Sequence, residues 1–568
     1  MNYAGSVKMR FCKCREHLKT TTFINVFLIN VVYFLVYFFL FTPGYETNDD
    51  QALDSIVSGY RGDYTSHLVF INIFLGKFLK ILVTIMPNIK WYPVMHFSVL
   101  FAAFVMITYI ITKKCKQFGY IIVLIILTYF GYECYVNVQF TKTAGVASVA
   151  GAIAIMYALE NRKMMKRLIV VGYILLLLGS FLRFKAYGII LIMLAVLGVI
   201  EIIKIYHNRK DIRDFCLKSL KYILIWAVII GSTGVFYYLD KCIYDSDPEW
   251  SYYREFNQKR AVLTDTGFPD YEQNIETYTA LGISENDYYL YSNWTFADPD
   301  IFTIEMMDEL IDLKTHENIG YFSVFIHELL PGFLQERCFQ AFILLFFLWL
   351  FLSRRKKGAV LYVFLAIAGI NIYFIYLNRY LQNRVDTVVW LGAVVVFSLL
   401  MEDYLKIPHI SRCGRAVLFS AVVLACLNMD LYKINQDSQY SQEDIAYYTE
   451  FYEMILNDKD TLYLTDVVSS NQTGMVYSLF TYIPKGIQSN YYTLGGWGTN
   501  MPTNLAVLDN YNIDNPFRDI VNNEQVCIIS NSPLINNILV YIQEHYDNGA
   551  YLQVVYDDGR MQIYRVCS

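Results

Sequence analysis

The chain has 568 residues, of which 55% are hydrophobic and only 17% are charged. This balance excludes a soluble globular fold, because stretches of about 20 apolar residues recur and each can cross a hydrocarbon core of roughly 30 Å. The net charge of −5 excludes few functions, since the basic residues of a membrane protein are concentrated on its cytoplasmic side. The sequence therefore predicts an all-α polytopic membrane protein.

Eleven apolar segments are predicted to span the membrane. The first is too long for a cleavable signal peptide and lacks a small-residue cleavage site, so it is predicted to be an anchor. The eleven segments cover residues 22–41, 92–112, 118–133, 141–159, 168–185, 186–205, 221–239, 338–353, 358–377, 386–403 and 416–428.

A further apolar segment, residues 67–86, allows two interpretations. It is apolar enough to span, but polar residues recur along it at helical spacing, which is typical of a helix lying flat in the membrane interface. These polar residues are Asn72, Gly76, Lys77, Lys80 and Thr84.

The distribution of Lys and Arg favours the flat orientation. If residues 67–86 lie flat outside, the short basic segments all face the cytoplasm, and they hold 25 of the 46 Lys and Arg residues. If residues 67–86 span, three of these loops move outside. The predicted topology has the N-terminus inside, the C-terminus outside and large outer loops at 42–91 and 240–337. The basic segments are residues 8–19, 113–116, 161–167, 204–221, 354–357 and 406–415.

The C-terminal residues 429–568 are predicted to form a small extracytoplasmic α/β domain, separate from a transmembrane domain of residues 1–428. The Asp557-Asp558-Gly559 sequence suits a hairpin turn, and residues 533–546 have the pattern of an amphipathic helix. The predicted strands are residues 461–467, 525–530, 551–557 and 560–566.

The acidic sequence "ETNDD" at residues 46–50 follows the first predicted span. One interpretation is a helix start, because Asn48 with Gln51 three residues later resembles a capping box. Acidic residues in the first turn are also favoured by the helix dipole. This interpretation explains the acidic residues without catalysis.

The arrangement of the first two outer loops resembles the GT-C superfamily of integral-membrane glycosyltransferases. These enzymes transfer a sugar from a polyprenyl-phosphate or polyprenyl-diphosphate carrier outside the cytoplasmic membrane. Their first outer loop holds juxtamembrane helices and an acidic catalytic motif, which are matched here by "ETNDD" and the helix at 67–86. The resemblance covers residues 1 to about 405 as architecture and identifies no subfamily.

The resemblance implies a polyprenyl-linked sugar donor, surrounding membrane lipids and a cell-envelope acceptor that is a polysaccharide, a lipid or a protein. The active site would face the extracytoplasmic side of the plasma membrane, and no nucleic acid partner is expected. Sugar transfer needs a base for the acceptor proton and stabilisation of the departing phosphate. Asp49 and Asp50 are the predicted catalytic carboxylates, one as base and the other as orienter or metal ligand.

Cations near the outer ends of the spans are predicted to bind the donor phosphate. Arg183 and Lys185 lie between the fifth and sixth spans, and Arg379 and Arg384 lie between the ninth and tenth. Arg can hold phosphate oxygens with two parallel hydrogen bonds. The alternative is that these side chains snorkel at helix ends and bind lipid head groups.

The turn at residues 131–145 contributes Glu133, Gln139 and Lys142 as candidate sugar or metal contacts. A solvated helix end is the alternative. The sequence leaves open whether a divalent cation is needed as a cofactor. Two other functions also remain open: a flippase or transporter of lipid-linked saccharide, and an O-antigen-type polysaccharide polymerase. A flippase would be expected to place ionisable residues near the bilayer midplane.

Overall fold

The computed structural model describes residues 3–160, 165–314, 324–352, 356–377, 379, 381–401, 442–472 and 478–568. Eight helices in these ranges are long and apolar enough to cross a membrane, and nine if a bent pair, Phe325–Gln335 and Arg337–Leu350, counts as one. The chain is therefore a multi-pass membrane protein. The predicted eleventh span, residues 416–428, lies outside the described ranges.

Every predicted span from 22–41 to 386–403 coincides with a helix, although not every helix is long enough to count as a span. The predicted span 168–185 forms a helix of 17 residues, at the short end of the range for crossing a membrane. The helices up to the second outer loop are α1 (Tyr3–Leu40), α2 (Asn48–Val57), α3 (Ile73–Ile85), α4 (Trp91–Ile126), α5 (Tyr132–Tyr135), α6 (Phe140–Glu160), α7 (Lys166–Leu182), α8 (Phe184–His207) and α9 (Ile212–Asp245).

The later helices form the second outer loop and the remaining membrane part. Lys116 in α4 has a φ of 54°, and there the chain turns from one span, Trp91–Lys116, to the next, Phe118–Tyr135. The later helices are α10 (Pro248–Thr266), α11 (Ile275–Ala280), α12 (Glu285–Ser292), α13 (Ile304–Asp312), α14 (Leu330–Gln335), α15 (Arg337–Leu352), α16 (Lys357–Tyr376) and α17 (Asn383–Leu400).

The packing of α1 against α4 shows how residues 67–86 are placed relative to the bundle. Phe23 contacts Tyr109, and Phe34 contacts Phe97, so the two helices run antiparallel. The end of α1 and the start of α4 therefore lie at the same end of the bundle. The helix between them, α3, has 13 residues and is about 20 Å long, too short to cross. The segment is thus not among the described helices that are long enough to span a membrane.

The polar stripe predicted along this segment is divided between two faces. Asn72 is buried, and its side chain donates a hydrogen bond to the Phe236 carbonyl at 3.2 Å. Gly76 packs on Ser66 so closely that a Cβ would come within 2.0 Å of the Ser66 carbonyl oxygen. The prediction of one continuous polar stripe is therefore wrong. The exposed side mixes charged, polar and apolar side chains, namely Lys77, Phe78, Lys80, Ile81, Thr84 and Ile85.

The centre of the bundle is formed by α6 and α17. Every residue of α6 from Phe140 to Ile155 is buried, as is every residue of α17 from Asp386 to Leu400. Small residues let the backbones approach, and a Cβ at Gly151 would lie 2.5 Å from the Gly172 carbonyl oxygen. Polar side chains at the ends of these two helices are therefore held by a rigid core.

The C-terminal region forms the predicted α/β domain around a five-stranded sheet of order β4-β3-β5-β7-β6. Strands β4, β3 and β5 are parallel, and β6 and β7 form the predicted hairpin. The three-residue strand β4 was not predicted. The strands are β3 (Leu462–Thr465), β4 (Tyr491–Thr493), β5 (Val526–Ser530), β6 (Tyr551–Asp557) and β7 (Gln562–Cys567), with helices α18 (Gln442–Asn457), α19 (Val467–Gln472), α20 (Pro502–Asp509) and α21 (Leu534–His545).

The second outer loop packs on this domain and shares its hydrophobic core. Phe256 and Leu263 of α10 belong to the same buried cluster as Leu464 and Ile538 of the C-terminal region. Thr295 forms an antiparallel bridge with Gly495. The predicted division into residues 1–428 and 429–568 therefore separates two segments that fold together.

Candidate functional site

A short parallel pairing brings the first outer loop to the turn that follows α5. The strand Gly44–Tyr45 (β1) pairs with Asn137–Val138 (β2). The Gly44 amide donates to the Val136 carbonyl at 2.9 Å, and the Glu46 amide donates to the Val138 carbonyl at 3.0 Å. The acidic loop and the turn containing Glu133 and Lys142 are therefore neighbours, although about 90 residues separate them.

Helix α2 begins inside the acidic sequence. Its N-cap is Thr47, whose side chain makes no capping hydrogen bond to any residue that the structure describes. Asn48 is the first helical residue, so the predicted capping box of Asn48 and Gln51 is wrong. Asp49 and Asp50 occupy the first turn, and successive residues of a helix point about 100° apart. The two carboxylates therefore have different surroundings.

Asp50 is fully buried against α4 and α6. Its Oδ1 accepts a hydrogen bond from the Tyr92 hydroxyl at 2.9 Å and from the Phe140 amide at 3.0 Å. The His96 Nε2 lies 3.9 Å from the same oxygen. Burial raises the pKa of Asp50 well above its ordinary value. These contacts suit a residue that fixes α2 on the bundle.

Asp49 lies next to two of the predicted phosphate-binding cations. Its Oδ2 is 3.7 Å from the Arg384 Nη2, and both side chains are partly exposed, at 17% and 25%. Arg183 is the extended residue between α7 and α8, and its side chain is within electrostatic reach of both Asp49 and Arg384. Burial and then Arg384 lower the pKa of Arg183 to about 10, so it remains charged at neutral pH.

Aromatic rings hold the Arg183 side chain in place. Its guanidinium carbon lies 5.3 Å from the ring centres of both Phe70 and Phe140. Such contacts are favourable because the face of an aromatic ring attracts a cation. Phe140 also supplies the amide that binds Asp50, so the positions of Arg183 and α2 are coupled through one residue.

Three further cations extend this group. Arg379 donates to Asp265 Oδ2 at 2.9 Å, and Lys185 is within electrostatic reach of Arg183, Arg379 and Asp265. Arg260, which was not predicted, is buried in α10 and is within electrostatic reach of Asp49, Asp265 and Arg379. In this group five cations face two carboxylates. We call it the Asp49 cluster, and its members are Asp49, Arg183, Lys185, Arg260, Asp265, Arg379 and Arg384.

Glu133 and Lys142 form a second group with Glu46, which we call the Lys142 cluster. The fully buried Lys142 Nζ lies 3.0 Å from Glu46 Oε2 and 3.2 Å from Glu133 Oε2. Asn383 donates to Glu46 at 2.9 Å, and Asn137 donates to Glu133 at 3.3 Å. The predicted solvated helix end is wrong, because these side chains are internal. The Glu133 carboxylate is bound by an ammonium of the chain itself.

Gln139 is also internal and serves the start of α6. Its side-chain oxygen accepts hydrogen bonds from the Thr141 amide at 2.5 Å and the Lys142 amide at 3.3 Å. Its Nε2 is buried without a hydrogen-bond partner among the described residues. The structure thus brings the predicted residues Asp49, Arg183, Lys185, Arg379 and Arg384 together, and places Asp50, Glu133, Gln139 and Lys142 in the adjoining framework.

Among the described residues, the side chains that are close enough together to bind a metal ion lie away from both clusters. One group of His, Asp and Glu side chains there is close enough to hold an ion, namely Asp287 of the second outer loop with Glu544 and His545 of the C-terminal region. The Asp49 cluster itself is rich in cations, which suits an anion better than a metal.

Comparisons with known proteins give a structural likeness at low sequence identity. No protein-family model matches the sequence, and no curated protein matches it. Among solved structures, the chain is similar to ArnT from Cupriavidus metallidurans bound to undecaprenyl phosphate, with a TM-score of 0.36 and 10% sequence identity. The match covers 95% of this chain and 97% of that chain.

Proposed function

We propose that this protein is a membrane glycosyltransferase of the GT-C type. It would transfer a sugar from a polyprenyl-phosphate-linked donor to a cell-envelope acceptor on the outer face of the cytoplasmic membrane. The observation that carries the proposal is the composition of the Asp49 cluster: a partly exposed carboxylate lies among cations that outnumber the carboxylates.

The location of the cluster supports a lipid-borne substrate. Arg183 separates α7 from α8, and Arg384 lies in the first turn of α17, so both cations lie at helix ends. A polyprenyl carrier keeps its chain among the helices and its phosphate at the membrane surface. The ends of membrane helices are where that phosphate arrives, and Arg can bind its oxygens with charge-assisted hydrogen bonds.

In the proposed reaction, Arg183 and Arg384 hold the donor phosphate beside Asp49. The acceptor hydroxyl oxygen forms a bond to the anomeric carbon while the bond from that carbon to the phosphate oxygen breaks. The departing phosphate keeps the electron pair, and the two Arg side chains stabilise its added charge. Asp49 accepts the proton of the acceptor hydroxyl. Binding of the phosphate would draw Arg384 away from Asp49 and leave the carboxylate available.

The proposal is tested by Asp49→Asn in protein reconstituted with a polyprenyl-phosphate sugar donor. The rate of transfer should fall about 10²- to 10⁴-fold, the range for loss of a general base. Asp63→Asn is the matched control, because Asp63 belongs to the same loop and its side chain is 96% exposed beside Lys485. Full activity of the Asp49 variant would show that Asp49 is not the base.

A further inference from the structure

Three side chains with metal-ligand chemistry meet where the second outer loop packs on the C-terminal domain. Asp287 belongs to α12, and Glu544 and His545 end α21. One ligand atom from each lies within 4.8 Å of the others. We propose that these residues bind a divalent transition-metal ion that joins the loop to the domain.

The strongest indication of a cation site is Asp287, which is fully buried. Its Oδ2 accepts hydrogen bonds from the Ser284 amide and the His545 Nε2, both at 2.9 Å. Its Oδ1 is buried as well and has no hydrogen-bond partner in the described part of the chain. A buried carboxylate oxygen without a donor is unfavourable, and a cation beside it would remove that penalty.

The other two ligands are already oriented towards Asp287. The Ser284 hydroxyl donates to Glu544 Oε2 at 2.8 Å, and the same hydroxyl accepts from the Asp287 amide. Asn286 donates a hydrogen bond to the Asn537 carbonyl, and the Asn537 side chain donates one to the Asn286 side-chain oxygen, which fixes α12 on α21. Only small side-chain movements are needed to bring the three ligand atoms to metal-binding distances of about 2.0–2.2 Å.

The ligand set selects the class of metal. One imidazole nitrogen and two carboxylate oxygens suit Zn²⁺ and related transition ions. Ca²⁺ takes six to eight oxygen ligands, so a three-ligand site that includes a histidine disfavours it. Glu544 is exposed and His545 is partly exposed, which leaves room for water to complete the coordination.

An entry route for the ion lies beside His545. A cavity of about 440 Å³ is lined by His545 and by the carboxylates of Asp300, Glu305 and Glu309. Negative charge along this cavity would raise the local concentration of cations. The site therefore combines a buried carboxylate, two accessible ligands and an acidic approach.

The experiment is a Zn²⁺ titration of the full-length protein in detergent micelles after alkylation of its thiols. We expect one equivalent of Zn²⁺ to bind and to raise the thermal midpoint, because the ion binds only the folded junction. Glu544→Gln, His545→Gln and Asp287→Asn should each weaken this binding by at least the 10- to 100-fold that changes around a metal site cost. Glu276→Gln is the matched control, since Glu276 is an exposed carboxylate of the same loop that neither supplies a ligand nor lines the cavity.

Several outcomes would contradict the proposed metal site. These are failure of the alkylated wild type to bind Zn²⁺, unchanged affinity in Glu544→Gln and His545→Gln, and equal affinity for Ca²⁺. Asp287→Asn keeps an acceptor oxygen for the Ser284 amide, so its folding can be checked by the thermal midpoint without Zn²⁺. The measurement does not involve sugar transfer, and its result is independent of the function proposed for Asp49.

Discussion

The Asp49 cluster and the Lys142 cluster lie at the same end of the bundle but differ in charge and burial. In the Lys142 cluster one ammonium is enclosed by two carboxylates, and Lys142 is 0% exposed. In the Asp49 cluster five cations face two carboxylates, and Asp49 and Arg384 are partly exposed. The first cluster has no positive charge left for a ligand, because its two carboxylates outnumber its one ammonium. The second cluster has more cations than carboxylates and so has positive charge left for a ligand.

This contrast shows that neighbouring acidic residues in one loop can have different roles. Glu46 and Asp50 face inward and attach the loop to α4, α6 and the turn after α5. Asp49 lies one residue before Asp50 and faces the cations. The inward residues hold α2 in one position, and that rigidity is what a catalytic carboxylate in its first turn would require.

The largest stability effect should come from Lys142→Met. Removing the ammonium leaves the Glu46 and Glu133 carboxylates without their shared cation, and breaking a buried pair in this way costs about 3–5 kcal/mol. The thermal midpoint of the purified protein would measure the loss. Lys485→Met is the control, because its pair with Asp63 is at the surface and is worth about 0–1 kcal/mol.

Adding Glu133→Gln to Lys142→Met should restore part of the midpoint, since one unpaired carboxylate is then removed. A midpoint for Lys142→Met equal to that of the wild type would remove the distinction between the two clusters. It would mean that Lys142 is as dispensable as a surface lysine.

A smaller effect, on donor use, is expected from Arg384→Ala. Hydrogen bonds to charged groups contribute about 1.5–3 kcal/mol, so the KM for a polyprenyl-phosphate donor should rise roughly 10- to 100-fold. Arg518→Ala is the comparison, because Arg518 is an exposed arginine of the C-terminal region that pairs with Asp300. An unchanged KM in the Arg384 variant would show that the phosphate binds elsewhere.

The smallest effect is expected from Asp50→Asn. The amide oxygen can still accept hydrogen bonds from Tyr92 and Phe140, so transfer should fall by no more than about threefold, equivalent to less than 1 kcal/mol. Comparison with Asp49→Asn in the same assay would test this. Equal loss of transfer in the two variants would mean that both carboxylates act on the substrate.

Asp50→Asn also has a pH signature. Burial raises the pKa of Asp50 above its unfolded value of about 3.9, so the folded protein disfavours the ionised form. The wild type therefore loses stability as pH rises from about 4 through the folded pKa, and the Asn variant does not. The midpoint of the variant relative to wild type should increase between pH 5 and pH 8. A constant difference would contradict this assignment.

The sequence was sufficient for features that depend on local patterns. Apolar length located the helices, and the strands β3, β5, β6 and β7 followed from alternation and turn residues. The four predicted cations near the outer ends of the spans are identifiable from the sequence, and the structure brings all four near Asp49 or Asp265. Their role in phosphate binding remains a prediction.

Features that depend on contacts distant in sequence could not be predicted. The pairing of Gly44–Tyr45 with Asn137–Val138 joins segments that have no shared pattern, and it decides that Glu46 meets Lys142. Arg260 gave no signal, because one arginine in a long polar loop is ordinary. The sequence predicts a C-terminal domain separate from residues 1–428, because the core that this domain shares with the second outer loop forms only when the two segments pack together.

The most direct test of the central claim is binding of a short-chain polyprenyl phosphate to the full-length protein in detergent, compared among three proteins. The wild type should bind, and Arg183→Ala combined with Arg384→Ala should weaken binding at least tenfold. Asp49→Asn should bind at least as tightly as the wild type, because it removes a negative charge beside the phosphate, while its transfer activity is lost. Unchanged binding in the double Arg variant, or weakened binding in Asp49→Asn, would contradict the assignment of phosphate and base to the Asp49 cluster.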